Sequence, residues 1–540
     1  MSKNPTDEQL AIINSTGNVA VNAKPGSGKT FTIVEKIARV LEPLKNHKGI
    51  IAISYTNKAS DEILKRFKNK NISIKNSFFG TMHKFYLSEI IIPFSKYITG
   101  KTMEPNYIDK KDVSAYYEPL LQLTTHPSEV LERLLLEALS AGYIILDKAG
   151  EYACYILDKV NKAVEYLTAR YTAIFIDEYQ DCGEAQHCIF LKLISYGLDG
   201  IAVGDLDQAI YGYDNKQSKY LVALLGNDSF KSFDLSKNFR CHKTISDYSL
   251  ALYKDPEIKE KIQDSRVYCI CINGDETEIA RLIDQNLPKI INKYSSTKTI
   301  KHNQIAILAR NRHTAEMLDS HLQTPHKYFK PTLLDLSSDE CDRIYKELLV
   351  VCFSKNKSAI DFAESFFAEE YENKKLKKLY NLTTSLQSID NLKDNLINHI
   401  DSFCSIAKLI LIDDKKVKTE KLKSVLSDKD TLDSFVDATD EQINIITMHG
   451  AKGLEFEIVF HLNLNNYELP SYDAITKGGN YLIQDINLHY VSITRAIEVC
   501  YLITNTYRTN AKGQVLESSC SSLLNLNNSL PYMRKSFVWK

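Results

Sequence analysis

The chain has 540 residues, of which 44% are hydrophobic and 25% are charged, and its formal net charge is −1. This length predicts several domains, and the balanced charge excludes a strongly basic protein that coats nucleic acid, so nucleic-acid contacts would come from local patches. No apolar run approaches the roughly 20 residues of a membrane-spanning helix, and the polar N-terminus does not resemble a signal peptide. The 11 cysteines form no C-x-x-C pair, which favours reduced thiols. We therefore expect a cytoplasmic protein with no membrane partner.

Apolar runs that predict buried strands alternate with helix-like segments along the chain. The early runs end at polar or glycine-bearing motifs, which is typical of parallel α/β sheets with functional residues at the carboxyl ends of the strands. A later set of runs predicts a second α/β domain with its own sheet. The predicted strands are Val19–Val21, Ile50–Ile53, Ala173–Ile176 and Ile201–Val203 in the first set, and Val267–Ile272, Ile305–Leu308, Ile443–Thr447, Ile458–Leu462 and Cys500–Ile503 in the second.

Two long helix-like stretches interrupt these sets and predict a helical insertion in each α/β domain. The predicted layout is a first α/β domain over 1–86 and 170–236 with an insertion over 87–169, a second over 237–316 and 441–507 with an insertion over 317–440, and a tail over 508–540.

The first predicted strand leads into a glycine-rich loop, Ala23-Lys24-Pro25-Gly26-Ser27-Gly28-Lys29-Thr30, and then into a helix-like segment. This order predicts a phosphate cradle, because the N–H groups of the loop and the positive end of the helix face an anion. Lys29 would reach the β- and γ-phosphates, and Thr30 would hold Mg²⁺. Ala23 stands where the strict motif has a glycine, and a turn that caps a helix is the alternative. The predicted nucleotide-binding residues of the loop are Ala23, Pro25, Gly26, Ser27, Gly28, Lys29 and Thr30.

Two adjacent carboxylates, Asp177 and Glu178, follow the predicted strand Ala173–Ile176. A buried strand that ends in two carboxylates fits a nucleotide site, where Asp177 would bind Mg²⁺ and Glu178 would act as general base on the attacking water. A charged strand end without chemistry is the alternative, and the preceding phosphate loop argues against it.

The segment after Ile201–Val203 is a third candidate site. Gln208 would orient water or sense the γ-phosphate, and Tyr211 and Tyr213 would present flat faces to nucleic-acid bases. By composition alone, these tyrosines are more typical of core or turn positions.

Together these motifs resemble the nucleotide site of superfamily 1 helicases of the UvrD, Rep and PcrA type. The resemblance extends in order over nearly the whole chain. It implies two RecA-like P-loop domains with parallel sheets, each carrying a helical insertion. It also implies an ATP- and Mg²⁺-dependent DNA helicase or translocase that acts on single-stranded or partly duplex DNA and moves 3′ to 5′.

The resemblance also assigns nucleotide contacts outside the glycine-rich loop. It implies that Gln9 binds the adenine edge, that Phe239 stacks on the base and that Glu455, near Gly453, holds the ribose. Two γ-phosphate arginines, from the second domain, would complete the positive charge around the transferring phosphoryl group. A surface ion pair is the alternative for each arginine taken alone. The predicted catalytic residues are Lys29, Asp177, Glu178, Gln208, Arg240 and Arg495, and the predicted binding residues of this second group are Gln9, Phe239, Arg240, Gly453, Glu455 and Arg495.

Three further segments are similar to the DNA-contact motifs of the family: Ser54–Ala59, Gly80–His83 and the start of Thr447–Phe456. With the tyrosines above, they give the predicted DNA-binding residues Thr56, Asn57, Thr81, His83, Tyr211, Tyr213, Thr447 and His449.

Some positions depart from the family pattern. Phe31 and Asn487 stand where many members have arginine, and Tyr213 stands where the family usually has tryptophan or phenylalanine. The second insertion is reduced, and in the family it regulates unwinding. The sequence therefore supports ATP hydrolysis more directly than efficient unwinding.

A closer resemblance is to the compact helicase-like subunits of Gabija anti-phage systems. It is carried by Thr81–His83, Ser88–Phe94, Asn238–Cys241 and His489–Val491. It implies a protein partner similar to GajA, an ATPase–TOPRIM endonuclease, in a hetero-oligomer.

Two other functions stay open from the sequence. In the first, the chain is a subunit that senses nucleotide or DNA ends and activates a partner nuclease, with little unwinding of its own. In the second, the chain is an unrelated phosphotransferase, a function that leaves the motifs Thr447–Phe456 and Tyr490–Ala496 unexplained.

Overall fold

The structure, a computed structural model, describes most of the chain. It describes the backbone but not the side chains of residues 106, 107, 208, 364 and 373. The described chain forms two compact units, Met1–Phe239 and Arg240–Lys540, called unit 1 and unit 2 below. The residues outside the description are 1–3, 55–62, 65, 68–69, 71, 103–105, 109–112, 123–128, 209–217, 296–297, 336, 338, 354–357, 367–372, 412–416, 511–512 and 540.

Eight strands occur in the described part of unit 1. In chain order they are β1 (Val19–Ala23), β2 (Gly49–Ser54), β3 (Phe78–Thr81), β4 (Asn106–Ile108), β5 (Tyr143–Ile145), β6 (Tyr171–Ile176), β7 (Asp199–Gly204) and β8 (Lys231–Leu235). Six of them form one sheet in the order β3-β2-β6-β7-β1-β8, and all its pairs are parallel. The strands β6, β7 and β1 are neighbours, so the segments that follow them lie at one edge of the sheet.

The sheet of unit 1 separates two apolar clusters, because successive side chains of a strand point to opposite faces. In β6, Ile174 and Ile176 enter one cluster, and Ala173 and Phe175 enter the other. Strands buried on both faces require continuous apolar runs, which is why the sequence predicted the central strands. It did not predict the edge strands β3 and β8, whose short mixed runs keep partly exposed side chains.

Helices cover both faces of this sheet and make up most of the segment between β3 and β6, which also contains β4 and β5. The helices in the described part of unit 1 are Asp7–Asn14, Lys29–Leu41, Met82–Phe85, Ile92–Phe94, Lys96–Thr99, Glu118–Gln122, Glu129–Ser140, Ala149–Lys159, Asn161–Arg170, Glu184–Ser195 and Lys219–Leu225, with a π-helix at Tyr86–Ile91 and 3-10 turns at Leu146–Lys148, Tyr179–Asp181 and Leu206–Gln208.

A buried carboxylate fastens the helical segment of unit 1 to the start of β6. Glu89 Oε2 accepts hydrogen bonds from Arg170 Nη1 at 2.9 Å, Tyr171 Oη at 2.9 Å and Tyr166 Oη at 3.0 Å. The π-helix that carries Glu89 is thereby tied to the strand that leads to the paired carboxylates.

Unit 2 contains a second parallel sheet. Its described strands are β9 (Val267–Ile272), β10 (Ile305–Ala309), β11 (His326–Tyr328), β12 (Ile443–Thr447), β13 (Phe456–His461), β14 (Ala496–Asn505), β15 (Tyr507–Thr509), β16 (Val515–Glu517) and β17 (Lys535–Trp539). Seven form the sheet β11-β12-β10-β13-β14-β9-β17, whose pairs are all parallel, and β15 and β16 form an antiparallel hairpin. The prediction of two α/β units with parallel sheets is confirmed.

Two strands of this sheet come from segments that the sequence assigned elsewhere. β11 lies in the segment predicted as the second insertion, and β17 lies in the predicted tail. Each is short and occupies an edge, so neither carries the continuous apolar run of a central strand. The unit boundary also falls after Phe239, whereas the sequence placed it after residue 236.

A helical region between β11 and β12 has its own apolar core, which includes Leu348, Phe403 and Val425. The helices of unit 2 are Lys243–Ala251, Glu276–Tyr294, Arg312–His321, Glu340–Phe353, Ala359–Phe366, Asn373–Gln387, Leu392–Asn395, Ile400–Ile410, Glu420–Ser427, Lys429–Asp433, Tyr472–Lys477, Gly479–Ile493 and Leu530–Met533, with 3-10 turns at His302–Gln304, Leu396–His399 and Ser522–Asn525. None of the described helices combines the length and apolar character needed to cross a membrane. All 11 cysteines are free thiols.

Candidate nucleotide and nucleic-acid site

The glycine-rich loop joins β1 to the helix Lys29–Leu41 through two left-handed glycines. Gly26 has φ +68° and Gly28, which caps the helix, has φ +79°. A Cβ on Gly28 would also lie 2.6 Å from Gln9 Nε2, so both the backbone angle and the lack of space require glycine there. Residues without side chains let a phosphate approach the loop N–H groups at the helix N-terminus.

The loop is fastened to the segment that follows β8. Asn238 Nδ2 donates to the Pro25 carbonyl at 2.9 Å, and the Phe239 N–H donates to the Gly26 carbonyl at 2.8 Å. The Phe239 ring is 40% exposed, with Lys237 Nζ 5.3 Å from its centroid. The structure therefore fixes the backbone of Phe239 on the phosphate loop while its ring stays accessible, as a base-stacking residue requires.

Gln9 is buried against the same loop. Its Nε2 donates to the Ser27 carbonyl at 3.0 Å, and its Oε1 accepts from the Thr6 N–H at 3.0 Å. Both ends of the amide bind protein atoms in this structure, so Gln9 supports the loop. Its predicted contact with adenine stays a prediction.

Lys29 lies between the two predicted catalytic carboxylates. Its Nζ is 3.1 Å from Asp177 Oδ1 and also contacts the Glu178 carboxylate. Burial by itself would lower the pKa of Lys29, but the attraction of Asp177 and Glu178 outweighs it and raises the pKa above the ordinary value. The lysine is therefore a permanent cation at the point where the sequence places the phosphates.

The residues predicted to hold Mg²⁺ have suitable chemistry. Thr30 stands in the first turn of the helix Lys29–Leu41, and Asp177 is a buried carboxylate directly after β6. Hydroxyl and carboxylate oxygens are the ligands that Mg²⁺ takes, usually with water and phosphate oxygens completing its shell. The described residues include no group of three His, Cys, Asp or Glu side chains that would hold a metal alone.

Glu178 has an unusual backbone for a residue with a side chain, with φ +56°. Its Oε2 accepts a hydrogen bond from Gln180 Nε2 at 2.6 Å, and its N–H donates to Asp177 Oδ1 at 2.8 Å. Left-handed backbone at a non-glycine residue is uncommon and concentrates at functional sites. Sequence reasoning missed Gln180, although an amide beside two carboxylates that are predicted to be catalytic was a signal for it. Gln208 closes the turn Leu206–Gln208, and its side chain lies outside the description.

Unit 2 brings three of its predicted nucleotide residues together. Arg240 Nη2 is 2.5 Å from Glu455 Oε1. Arg495 donates through Nη1 to the carbonyl of Leu454 at 3.2 Å and through Nε to the carbonyl of Val491 at 3.0 Å. Arg495 is only 2% exposed, so its guanidinium is largely enclosed by the backbone of its own unit. Gly453, two residues before Glu455, has φ +83°.

Four of the eight predicted DNA-contact residues lie in the described part of the chain, two in each unit. Thr81 caps the helix Met82–Phe85, and His83 is exposed on that helix. Thr447 ends β12, and burial lowers the pKa of His449 to about 4, with Arg310 adding to the effect, so this imidazole is neutral at neutral pH. The remaining four, Thr56, Asn57, Tyr211 and Tyr213, lie outside the described residues.

Comparison with known proteins relates the chain to DNA helicases. A family described as an AAA domain matches residues 8–214, and the UvrD-like helicase C-terminal domain matches residues 354–507. The chain is 28% identical to the Gabija protein GajB of Bacillus cereus, over 90% of this chain and 92% of that protein.

Two other relatives are named as ATP-dependent DNA helicases. The chain is 23% identical to Rep of Buchnera aphidicola, over 96% of this chain and 97% of that protein. It is 21% identical to PcrA of Staphylococcus aureus, over 97% of this chain and 87% of that protein. The two domain matches together with these relatives confirm the resemblance drawn from the motifs: the chain is similar to UvrD-like DNA helicases.

Proposed function

We propose that the chain is a DNA-dependent ATPase and translocase that uses ATP and Mg²⁺ and moves 3′ to 5′ on single-stranded DNA. The observation that carries the proposal is the convergence of Lys29, which follows β1, with Asp177 and Glu178, which follow β6, at one edge of the sheet in a chain similar to UvrD-like helicases. The similarity to DNA helicases supports DNA as the second ligand. The 3′ to 5′ direction rests on the family resemblance.

The side chains of unit 1 divide the chemistry among themselves. Lys29 would exchange its carboxylate partners for phosphate oxygens, since both offer negative charge at the same ammonium. Thr30 and Asp177 would hold Mg²⁺, which neutralises phosphate charge when bound. Glu178, released from Lys29, would accept a proton from the attacking water. Phe239 would stack on the base.

Unit 2 would supply positive charge to the transferring phosphoryl group. Arg240 would leave Glu455 for the γ-phosphate, and Arg495 would add a second guanidinium. Such arginines stabilise charge that develops in the transition state and contribute on the order of 10³-fold to the rate.

Phosphate release from ATP, with and without single-stranded DNA, tests this function directly. We expect strong stimulation by DNA in the wild type and loss of hydrolysis in Lys29→Ala, while Lys45→Ala, an exposed lysine of the same unit, keeps the wild-type rate. Displacement of streptavidin from biotinylated oligonucleotides gives the direction, because a 3′ to 5′ motor removes it from the 5′ end. A wild type that does not hydrolyse ATP under any of these conditions would contradict the proposal.

The similarity to the Gabija protein GajB favours a second candidate function in anti-phage defence. In it, the chain senses nucleotide or DNA ends and activates a partner nuclease that resembles GajA, within a hetero-oligomer. Co-purification with the product of a neighbouring gene, followed by nuclease assays with wild type and Lys29→Ala, separates the two. Loss of nuclease control in Lys29→Ala, with little DNA-stimulated hydrolysis by the chain alone, would favour the sensor.

A further inference from the structure

The side chain of Gln180 occupies a position that neither the motifs nor the proposed roles account for. It is fully buried, at 0% exposure, one residue beyond Tyr179 and two beyond Glu178. Its Nε2 donates to Glu178 Oε2 at 2.6 Å, and its Oε1 accepts from the backbone N–H of Asp205 at 3.0 Å. A single amide therefore joins the predicted general base to the residue that directly follows β7.

The surroundings of Gln180 leave its amide little freedom. A Cβ on Gly204 would lie 2.4 Å from Gln180 Oε1 and 3.0 Å from its backbone nitrogen, so the end of β7 must be glycine for the amide to fit. On the other side, the left-handed backbone of Glu178 points its carboxylate back toward the amide. A sparsely used backbone conformation at Glu178 and a close approach at Gly204 thus coincide with one buried hydrogen-bonded bridge.

We infer that Gln180 is a positioning residue that orients the Glu178 carboxylate and links it to the segment that begins at Asp205. The bond to Oε2 fixes the rotation of the carboxylate and leaves Oε1, which now contacts Lys29, as the oxygen that turns to water. Because the turn Leu206–Gln208 follows Asp205, a shift at the end of β7 reaches Glu178 through this amide. The inference rests on the proposed function, in which Glu178 is the general base.

A Gln180→Leu substitution in the full chain keeps the volume but removes both hydrogen bonds. We expect kcat for DNA-stimulated ATP hydrolysis to fall by about 10- to 100-fold, as loss of a hydrogen bond to a charged group does. KM for ATP should stay within about twofold, because the amide of Gln180 bonds Glu178 and Asp205 and not the glycine-rich loop. Gln186→Leu is the matched control: this glutamine accepts from the Gly183 N–H at the start of a helix and should keep the wild-type kcat.

Gln180→Glu gives a readout that a packing defect would not produce. The introduced carboxyl can donate to Oε2 only when it is protonated, and a carboxyl beside a carboxylate holds its proton to unusually high pH. The deficit in kcat relative to the wild type should therefore shrink as the pH falls from about 8 to about 6. Gly204→Ala displaces the amide of Gln180 without changing its chemistry, and it should reproduce the fall in kcat. This variant replaces Gln180→Leu in the test if Gln180→Leu does not fold.

The outcomes separate the inference from the function beneath it. A wild type without ATP hydrolysis would overturn both. An active wild type whose Gln180→Leu and Gly204→Ala variants fold and keep the wild-type kcat would overturn the role of Gln180 alone. A parallel rise in KM, or a deficit in Gln180→Glu that does not change with pH, would show that Gln180 acts only in packing and would also overturn it.

Discussion

The phosphate site of unit 1 and the arginine cluster of unit 2 both concentrate charge, but the two units hold it differently. In unit 1, the partners of Lys29 are two carboxylates, which phosphate oxygens can replace. In unit 2, Arg495 is bonded to backbone carbonyls, including that of Leu454, and it is almost wholly enclosed. Leaving a buried donor or acceptor unpaired costs about 1–3 kcal/mol. The phosphate site of unit 1 is thus suited to exchanging its carboxylate partners for phosphate. In unit 2, Arg495 instead links the segment around Leu454 to the segment around Val491.

The largest effect should come from removing the charge of the general base. Glu178→Gln should lower kcat for ATP hydrolysis by about 10³-fold or more while ATP still binds, because Lys29 keeps Asp177 as its partner. Phosphate release and binding of a fluorescent ATP analogue measure the two properties. Glu184→Gln, an exposed residue of the next helix, is the control and should behave as the wild type. Equal loss of binding and hydrolysis would show that the carboxylates of unit 1 are not exchangeable partners.

The two arginines of unit 2 should differ in a way that sharpens the comparison. Arg495→Gln should lower kcat by about 10²-fold and also destabilise the protein by about 3 kcal/mol, because the variant leaves buried carbonyls without a partner. Arg240→Gln should lower kcat comparably. It should change the free energy of unfolding by less than about 1 kcal/mol, because the ion pair of Arg240 with Glu455 is partly exposed. Urea unfolding beside phosphate release measures both. Equal stability losses would remove the distinction between the arginines.

Local patterns made much of this architecture predictable. The continuous apolar run of β6, the glycine-rich loop and the pair Asp177 and Glu178 are all properties of short segments, and the structure places them together. The helix-like composition of the two insertions is local in the same sense. Such signals depend on neighbouring residues, so the sequence carries them directly.

The rest depends on contacts between residues that are distant in the chain. The bond from Asn238 to the loop and the ion pair of Arg240 with Glu455 have no local pattern, and edge strands such as β11 show no apolar run. Asn487 shows the same limit. The sequence marked it as a missing arginine, whereas in the structure it is buried and its Oδ1 accepts a hydrogen bond from Tyr253 Oη at 2.8 Å.

A buried histidine pair should make unit 2 sensitive to acid. His461 Nε2 and His489 Nδ1 are 2.8 Å apart, and burial lowers the pKa of His461 to about 3. An unfolded histidine titrates near 6.5, so the unfolded chain binds more protons between about pH 6.5 and pH 3 and stability falls as the pH drops through this window. His461→Asn should flatten that fall by about 1–2 kcal/mol, as measured by urea unfolding from pH 7 to pH 5. His47→Asn, which changes an exposed histidine, should not flatten the fall. Equal slopes of stability against pH for the wild type, His461→Asn and His47→Asn would contradict the prediction.

The last effect concerns Lys36, a cation of unit 1 that is held by backbone as Arg495 is. Its Nζ donates to the carbonyls of Ile12 and Ser15 at 2.9 Å each, at the end of the helix that carries Gln9. Burial lowers the pKa of Lys36 to about 8; Arg39 and Lys231 add to this, and Asp199 opposes it.

Because the unfolded lysine titrates near 10.4, the unfolded chain binds more protons between about pH 8 and pH 10, and the stability contributed by Lys36 rises with pH in this window. Lys36→Met lacks this rise, so the wild type should gain stability over the variant from pH 8 to pH 10 in urea unfolding. The gain should be about 2 kcal/mol, because the folded lysine loses its proton about two pH units below the unfolded one. A constant difference across this range would mean that the ammonium stays charged, and that unit 1 tolerates a cation held by carbonyls as readily as unit 2 does.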